Sequence, residues 1–252
     1  MVYILYGLAT ILLFFIVFTY LYQYIAALHS WNEVVKAFFN DRILMALWLS
    51  LLSAFTTSFI AIILGVPLAY LLSMHEFPGK SLVETFAIDL PQTFPPVAEG
   101  MIFLLMLGPD SPFHINLAFT FAALVLAQFY VSAPFVVSFA ERRFNEIRKT
   151  GLDLTARSLG ANPFRVFTTI FLPLAVTDIA AGVSLCWSRS MGELGGSLIF
   201  AGVIPFKTEV IPTFIATQSS TLTAGALAAT IMVTTASTIA LLTFKRFTGV
   251  VK

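Results

Sequence analysis

The sequence GLDLTARSLGANPFRVFTTIFLP, residues 151–173, contains two glycines, an Asn-Pro pair and basic residues, in a chain that is otherwise mostly apolar. Asp153 is a suitable N-cap for a helix, and Gly160 suits the left-handed residue at which a helix ends. Asn162 and Pro163 then suit the cap and the first position of a new helix. The pattern predicts a helix of about two turns between two stops. Because so short a helix is not stable alone in water, it must pack on another element.

The composition of the chain indicates a membrane protein. Of its 252 residues 58% are apolar and only 11% are charged, whereas a soluble domain is about 45–50% apolar and about 25% charged. The net charge of +1 gives no indication of a nucleic acid partner, and the single cysteine, Cys186, cannot form an intramolecular disulfide. Residues 1–32 carry no charged side chain. This segment is longer than the apolar core of a signal peptide, about 7–15 residues, and is interpreted as a first membrane helix.

Six segments are long and apolar enough to span a bilayer, which takes about 20 residues. The fold class expected is therefore an all-α membrane protein with six transmembrane helices and a short cytoplasmic helix between the fourth and the fifth. The last span is expected to end in a strong helix from about Leu222. The predicted spans are residues 2–28, 43–74, 81–108, 111–140, 166–206 and 210–244.

The distribution of basic residues predicts the orientation. With six spans, both termini lie on one side, together with the loops 75–80 and 141–165. Since loops rich in Lys and Arg stay inside, both termini and the short helix are expected in the cytoplasm of a multi-pass protein of the cell (plasma or inner) membrane. The side of the termini carries Lys80, Arg142, Arg143, Arg148, Lys149, Arg157, Arg165, Lys245, Arg246 and Lys252, and the other side carries Lys36, Arg42 and Lys207.

Residues 154–173 resemble the cytoplasmic signature of permease subunits of type I ABC importers: Glu-Ala-Ala, three residues, Gly, nine residues, Ile-x-Leu-Pro. Two positions depart from it, since Leu154 replaces the usual Glu and Thr155 the usual Ala. The resemblance implies that residues 151–163 form a coupling helix region that docks in a groove of an ATP-binding subunit. The residues at the signature's spacing are Ala156, Gly160, Ile170, Leu172 and Pro173. The residues expected to couple to the ATPase are Leu154, Thr155, Ala156, Arg157, Gly160, Asn162, Pro163, Ile170, Leu172 and Pro173.

A second segment narrows the resemblance. The sequence SRSMGELGGSLIFAG, residues 188–202, is similar to the fifth-helix segment of molybdate/tungstate and sulfate permeases, and the molybdate/tungstate branch is the more similar. The similarity covers residues 45–245, the permease core of a single transmembrane domain, residues 1–252. It implies a homodimer in the lipid bilayer, a cytoplasmic ATP-binding subunit and an external oxyanion-binding protein. It also implies that ATP and Mg²⁺ bind the partner ATPase, with no cofactor in this chain.

The residues themselves give no sign of catalysis. MHEFPGKS, residues 74–81, approaches a phosphate-binding loop, but Met74 occupies the first glycine position and the segment is a short turn between two spans. The three histidines, His29, His75 and His114, are scattered over separate loops or span ends. The chain is therefore expected to be no enzyme.

Two spans carry breaks, and discontinuous helices commonly line transport paths. Residues 89–100 contain three prolines and residues 192–202 four glycines. The prolines could equally mark a kink that neighbouring helices accommodate, and Asp178 is expected to be a capped or paired buried acid. The residues expected along the translocation pathway are Pro95, Glu99, Ser188, Arg189, Ser190, Gly192, Glu193, Gly195, Gly196 and Ser197.

Arg189 and Glu193 are four residues apart, so on a helix they can neutralise each other. The pair is therefore expected to stabilise the outer pathway, with selectivity resting mainly on the external binding protein. The function predicted is the permease subunit of an ATP-driven oxyanion importer, for molybdate/tungstate. The alternatives are a sulfate permease of the same class and a stand-alone secondary transporter.

Overall fold

Regular structure is helical throughout the residues that the computed structural model describes, 2–218 and 223–247. Three segments form π-helical turns, Thr85–Asp89, Phe167–Phe171 and Ser197–Ala201. The α-helices are α1 (Val2–Leu28), α2 (Trp31–Phe38), α3 (Asp41–Met74), α4 (Lys80–Glu84), α5 (Leu90–Thr93), α6 (Pro96–Leu107), α7 (Phe121–Lys149), α8 (Leu152–Ser158), α9 (Pro163–Val166), α10 (Leu172–Met191), α11 (Ile211–Gln218) and α12 (Ala224–Phe247).

Five helical segments are long and apolar enough to cross a membrane: α1, α3, α7, the continuous segment Pro163–Met191, and α12. A sixth candidate is broken. Lys80–Thr93 and Pro96–Leu107 are bent by 115° relative to each other, because Pro95 and Pro96 have no backbone N–H with which to continue the first helix. Counted as one span, the pair gives the predicted total of six.

The predicted bounds of the fourth and fifth spans were wrong because hydropathy does not show where helices are capped, whereas the last helix begins close to the expected residue. The fourth span begins at Phe121, where the Thr120 hydroxyl accepts a hydrogen bond from the Ala123 amide at 3.2 Å, and it continues to Lys149. The fifth ends at Met191, before the glycines. The last helix begins at Ala224, and Leu222 lies outside the described residues.

Helices α3, α7 and α10 form the centre of the bundle, and small residues bring them together. A Cβ atom on Gly182 of α10 would lie 2.9 Å from the Phe135 carbonyl oxygen of α7. Helix α1 is mostly exposed and joins α12 through polar contacts. The hydroxyl of Tyr24 lies 2.9 Å from that of Thr235, and the Thr234 hydroxyl donates to Gln23 at 3.0 Å.

The short helix predicted between the fourth and fifth spans is α8, and it packs on a cluster of aromatic rings. This aromatic cluster consists of Tyr70, Phe144, Phe167 and Phe171. The Tyr70 ring centroid lies 4.7 Å from that of Phe167 and 5.2 Å from that of Phe171. Ala156 of α8 packs against the same core. The cluster supplies the packing that a helix of two turns needs.

The N-cap predicted for α8 was wrong, whereas its C-terminal stop is confirmed. Gly151, with φ +73°, occupies the N-cap position, and Asp153 is a buried residue of the first turn. Glycine adopts this left-handed conformation without a steric penalty. The helix therefore begins at Gly151 without a hydrogen bond from a capping side chain. Gly160, with φ +88°, ends the helix. The Asn162 side chain then accepts a hydrogen bond from the Arg165 amide at 2.8 Å, as expected of a cap.

The broken third span meets the segment after α10 through glycines. A Cβ atom on Gly100 of α6 would lie 2.9 Å from the Gly196 Cα atom, and one on Gly195 would lie 2.8 Å from the Pro96 Cβ atom. Backbone of the third span therefore rests directly on backbone that follows α10.

We expect Gly100→Ala to destabilise the protein, because overpacking costs about 1–3 kcal/mol and helix propensity returns at most about 1 kcal/mol. Thermal unfolding of the purified protein in detergent measures the effect. Gly7→Ala is the matched control, since it gains the same propensity in a helix with nothing within 4 Å of the new Cβ atom. Equal melting temperatures for the two variants would contradict this packing.

Candidate functional site

The break after α10 holds the ion pair that the sequence predicted. The Nη1 atom of Arg189 lies 3.1 Å from the Oε2 atom of Glu193. The Oε1 atom of Glu193 accepts a hydrogen bond from the Gly196 amide at 2.9 Å, where the helical path resumes. The Glu193 side chain is 1% exposed and that of Arg189 is 36% exposed. One partner is thus fixed inside the protein, while the other reaches its surface.

A second carboxyl group lies at the same place. Glu99, in the first turn of α6, is 2% exposed. A Cβ atom on Gly196 would lie 3.4 Å from its Oε1 atom, so Gly196 contacts both acids. Neither oxygen of Glu99 has a hydrogen-bond partner among residues 2–218 and 223–247. The sequence named Glu99 as a pathway candidate but gave no sign that it would lie beside Glu193.

A cavity of about 320 Å³ opens beside the ion pair. Its polar lining comes from Ser188 and Arg189, and Gly192 lies at its edge. Phe135 of α7 and Leu185 of α10 complete it. A guanidinium and a hydroxyl are donors that suit an anion. Because Glu193 is paired with Arg189, the wall of the cavity carries a guanidinium whose charge is largely balanced.

The other predicted pathway residues do not line this cavity. The Ser190 hydroxyl is buried, 2.9 Å from that of Ser132 on α7, and Ser197 is also buried. Gly195 and Gly196 form the contact with α6 described above, and Pro95 is exposed at the bend of the third span. The ten residues therefore divide between the cavity, the interior contact and the bend.

An ion pair that the sequence analysis missed lies outside this site. Arg42, at the start of α3, donates to both carboxylate oxygens of Glu209 at 2.7 Å, and Glu209 is 1% exposed. The Arg42 guanidinium also lies 5.4 Å from the ring centroid of Phe214. Each of the two charges directly precedes a long uncharged segment. Two opposite charges at the same position relative to an uncharged segment could have indicated this pair in the sequence.

Two other polar positions differ from expectation. Asp178 is paired as predicted, 3.5 Å from the Nε atom of Arg143, but its side chain is 42% exposed and not buried. Gln128 of α7 is buried and donates to the Ser53 hydroxyl of α3 at 3.0 Å. Nothing in the pattern around Gln128 indicated this contact.

The surface of α8 and of the turn after it is apolar. Leu154, Leu159 and Phe164 are 68%, 83% and 75% exposed. We call these three residues the apolar patch. Arg157 and Arg165 are also exposed beside it. An exposed apolar patch bordered by charged residues indicates a contact with another protein or with the membrane surface.

The predicted coupling residues fall into three groups. Ala156 and Ile170 are partly buried and pack against the core that contains the aromatic cluster. Leu172 and Pro173 are exposed on the side of the fifth span. The remaining predicted residues are exposed on α8 or on the turn after it: Leu154, Thr155, Arg157, Gly160, Asn162 and Pro163.

A short ionic network supports the turn next to α8. Arg148 of α7 donates to the Ser73 carbonyl oxygen at 2.6 Å and lies 3.7 Å from the Glu76 carboxylate. Lys80 donates to Glu76 at 3.0 Å, and this hydrogen bond holds the pKa of the Glu76 carboxyl below its usual range. Glu76 therefore stays ionised and keeps the turn close to the end of α7.

We expect Arg189→Gln to lower the stability of the protein, because it leaves Glu193 buried beside a neutral group, at a cost of about 1–3 kcal/mol. The double variant Arg189→Gln/Glu193→Gln should recover part of that loss, since both charges then disappear together. Thermal unfolding and membrane yield measure both effects. If the double variant is no more stable than Arg189→Gln alone, the two residues do not stabilise each other.

Comparison with known proteins establishes the family. The model of the binding-protein-dependent transport system inner membrane component matches residues 61–248. A molybdate/tungstate transport system permease protein of Thermococcus kodakarensis is 34% identical over 201 residues, 76% of this chain and 78% of the relative. A sulfate transport system permease protein of Escherichia coli is 29% identical over 188 residues, 72% of this chain and 67% of the relative.

A solved structure shares the fold. It is a bacterial ABC transporter involved in the import of the acidic polysaccharide alginate, with a TM-score of 0.71 and 18% identity over 99% of this chain and 96% of that chain. The resemblance to a type I ABC importer permease is thus confirmed, as is the prediction of a permease subunit that is not itself an enzyme. The chain belongs to the family of inner-membrane components of binding-protein-dependent transport systems.

Proposed function

We propose that this chain is the permease subunit of an ATP-driven importer for a tetrahedral oxyanion, molybdate or tungstate. The observation that carries the proposal is the 34% identity to a molybdate/tungstate permease over 76% of the chain. The cavity beside Arg189 supports it, because it offers a guanidinium and a hydroxyl to an anion. The sulfate permease relative at 29% identity keeps sulfate as the second candidate.

The proposed assembly is a homodimer with the path along its two-fold axis. A cytoplasmic ATP-binding subunit receives α8, and an external binding protein delivers the oxyanion to the opposite side. The positive-inside rule supports this orientation, because the end of α7 and the residues around α8 are rich in Arg and Lys. The apolar patch is the surface that the ATP-binding subunit covers. Leu154 makes this contact apolar where other members of the class carry a Glu.

Coupling between the ATP-binding subunit and the cavity follows from the rigidity of the elements that pack against α8. The short helix is fixed to the aromatic cluster, and the fifth span continues without interruption from Pro163 to Met191. Movement of α8 with the ATP-binding subunit therefore carries the aromatic cluster and the lower end of the fifth span with it. The upper end of that span holds Arg189, so the motion reaches the cavity.

Uptake into proteoliposomes tests the function. The permease is reconstituted with its ATP-binding subunit and binding protein, and uptake of labelled molybdate is measured with unlabelled molybdate, tungstate or sulfate as competitor. We expect ATP-dependent uptake, with molybdate and tungstate competing at concentrations about tenfold lower than sulfate, a difference of about 1.4 kcal/mol. Preferential competition by sulfate would favour the second candidate. Uptake that needs no ATP would favour a stand-alone secondary transporter.

We expect Gly160→Leu to lower substrate-stimulated ATP hydrolysis by about tenfold, an energetic change of about 1.4 kcal/mol. Gly160 has φ +88° with nothing within 4 Å of an added Cβ atom, so the effect comes from the backbone conformation and not from a clash. A left-handed conformation costs a residue other than glycine about 1–2 kcal/mol. The leucine therefore favours a longer α8 with a misplaced end.

Gly160→Asn is the matched control, since asparagine tolerates the left-handed conformation and should lose less activity. Membrane yield of both variants is measured in parallel to separate coupling from insertion. Normal stimulated hydrolysis in Gly160→Leu at normal yield would remove α8 from the coupling mechanism.

A further inference from the structure

Two buried carboxyl groups lie close together where the fifth span ends, and only one of them pairs with Arg189. Glu193 uses both oxygens, one toward the Gly196 amide and one toward Arg189. Glu99 is equally buried, lies against Gly196, and neither of its oxygens has a hydrogen-bond partner among the described residues. Glu193 thus has one hydrogen bond and one ion-pair contact, whereas Glu99 has neither among the described residues.

The charges around Glu99 come from the fifth span. Glu193 and Arg189 are the charged groups that act on it, and the hydroxyl group of Tyr130 on α7 is near enough to interact with it electrostatically. If both carboxyl groups were ionised, the three side chains would carry a net charge of −1 in a place where water has little access. A buried carboxylate without a partner is costly, and a second carboxylate nearby increases the cost.

We propose that Glu99 carries a proton in this conformation, so that Glu99, Arg189 and Glu193 together form a neutral cluster. Glu99 is then a residue that sets the charge met by an anion in the adjacent cavity. This part rests on the proposed function, because it assumes that the oxyanion passes the cavity beside Arg189. Removal of the proton makes the cluster negative, and a negative cluster repels a dianion.

Infrared difference spectroscopy tests the proton directly. The wild-type complex is recorded at neutral and alkaline pH in H₂O and in D₂O. We expect the C=O stretching band of a protonated carboxylic acid that shifts in D₂O and disappears at alkaline pH. In Glu99→Gln this band is absent. Glu209→Gln is the matched control, because Glu209 is equally buried but both of its oxygens accept hydrogen bonds from Arg42, and this variant should keep the band. Glu33→Gln, which changes an exposed carboxylate on α2, is a second control and should also keep the band.

Uptake measured at both pH values tests the consequence. In the wild-type complex, ATP-dependent oxyanion uptake should fall by about tenfold when the proton is removed, while in Glu99→Gln the ratio of the two uptake rates should be about twofold or less. Both are normalised to ATP hydrolysis by the isolated ATP-binding subunit at the same pH.

The outcomes separate the two proposals. Absence of the band from the wild-type complex at neutral pH overturns the proton on Glu99, and a band shift that depends on added Na⁺ would assign a cation there instead. An equal pH ratio in wild type and Glu99→Gln overturns the role of Glu99 in setting the charge of the path. If the band behaves as expected but no oxyanion is transported at any pH, the proposed function fails while the protonated Glu99 stands.

Discussion

The contact between Gly100 and Gly196 is the constraint on which the site depends. It lets the backbone of α6 rest on the backbone that follows α10, because neither residue has a side chain to hold them apart. Glu99 precedes Gly100, and Glu193 accepts a hydrogen bond from Gly196. The close approach of two glycines therefore also brings two acids together. A larger residue at either position would separate the acids as well as the helices.

At the other end of the fifth span, the aromatic cluster is the contact on which the position of α8 depends. Tyr70 belongs to α3, Phe144 to α7, and Phe171 to the π-helical turn that precedes α10. Helices α3 and α7 belong to the centre of the bundle, and the π-helical turn leads directly into the third central helix, α10. The aromatic cluster therefore connects α8 to the centre of the bundle. The segment Pro163–Met191 has 29 residues, a length of about 43 Å at about 1.5 Å per residue. One helix thus connects the surface of α8 with Arg189.

The sequence predicted those parts of the structure that depend on residues close together in the chain. Gly160 and Asn162 define the end of α8 and the start of the next helix through local backbone conformation, and Arg189 pairs with Glu193, four residues further along the chain and just beyond the end of α10. Asp153 was misassigned although it is local, since Gly151 already supplies the turn that an N-cap would make. The sequence did not show which of these two residues, each suitable for the start of a helix, would occupy the N-cap position.

Contacts between distant parts of the chain could not be predicted in this way. Glu99 and Glu193 are 94 positions apart in the numbering, and Arg42 and Glu209 are 167 apart. Hydropathy predicted six spans, the number reached when the bent pair is counted as one span. It placed the start of the fourth span too early, in the loop that ends where Thr120 caps α7. An apolar loop packed inside a membrane protein has the same composition as a helix there, so only the cap distinguishes them.

The two buried ion pairs differ in geometry, and the difference fits their positions. Arg42 holds Glu209 through two hydrogen bonds of 2.7 Å, a planar arrangement that fixes both groups. Arg189 approaches Glu193 through one contact of 3.1 Å, and its side chain borders a cavity. A pair held by two bonds resists rotation of either side chain. In the second pair the Glu193 carboxylate also accepts a hydrogen bond from the Gly196 amide, so its position does not depend on Arg189 alone. The Arg42–Glu209 pair therefore joins α3 firmly to the segment before α11, whereas the Arg189–Glu193 pair leaves its guanidinium at the wall of the cavity.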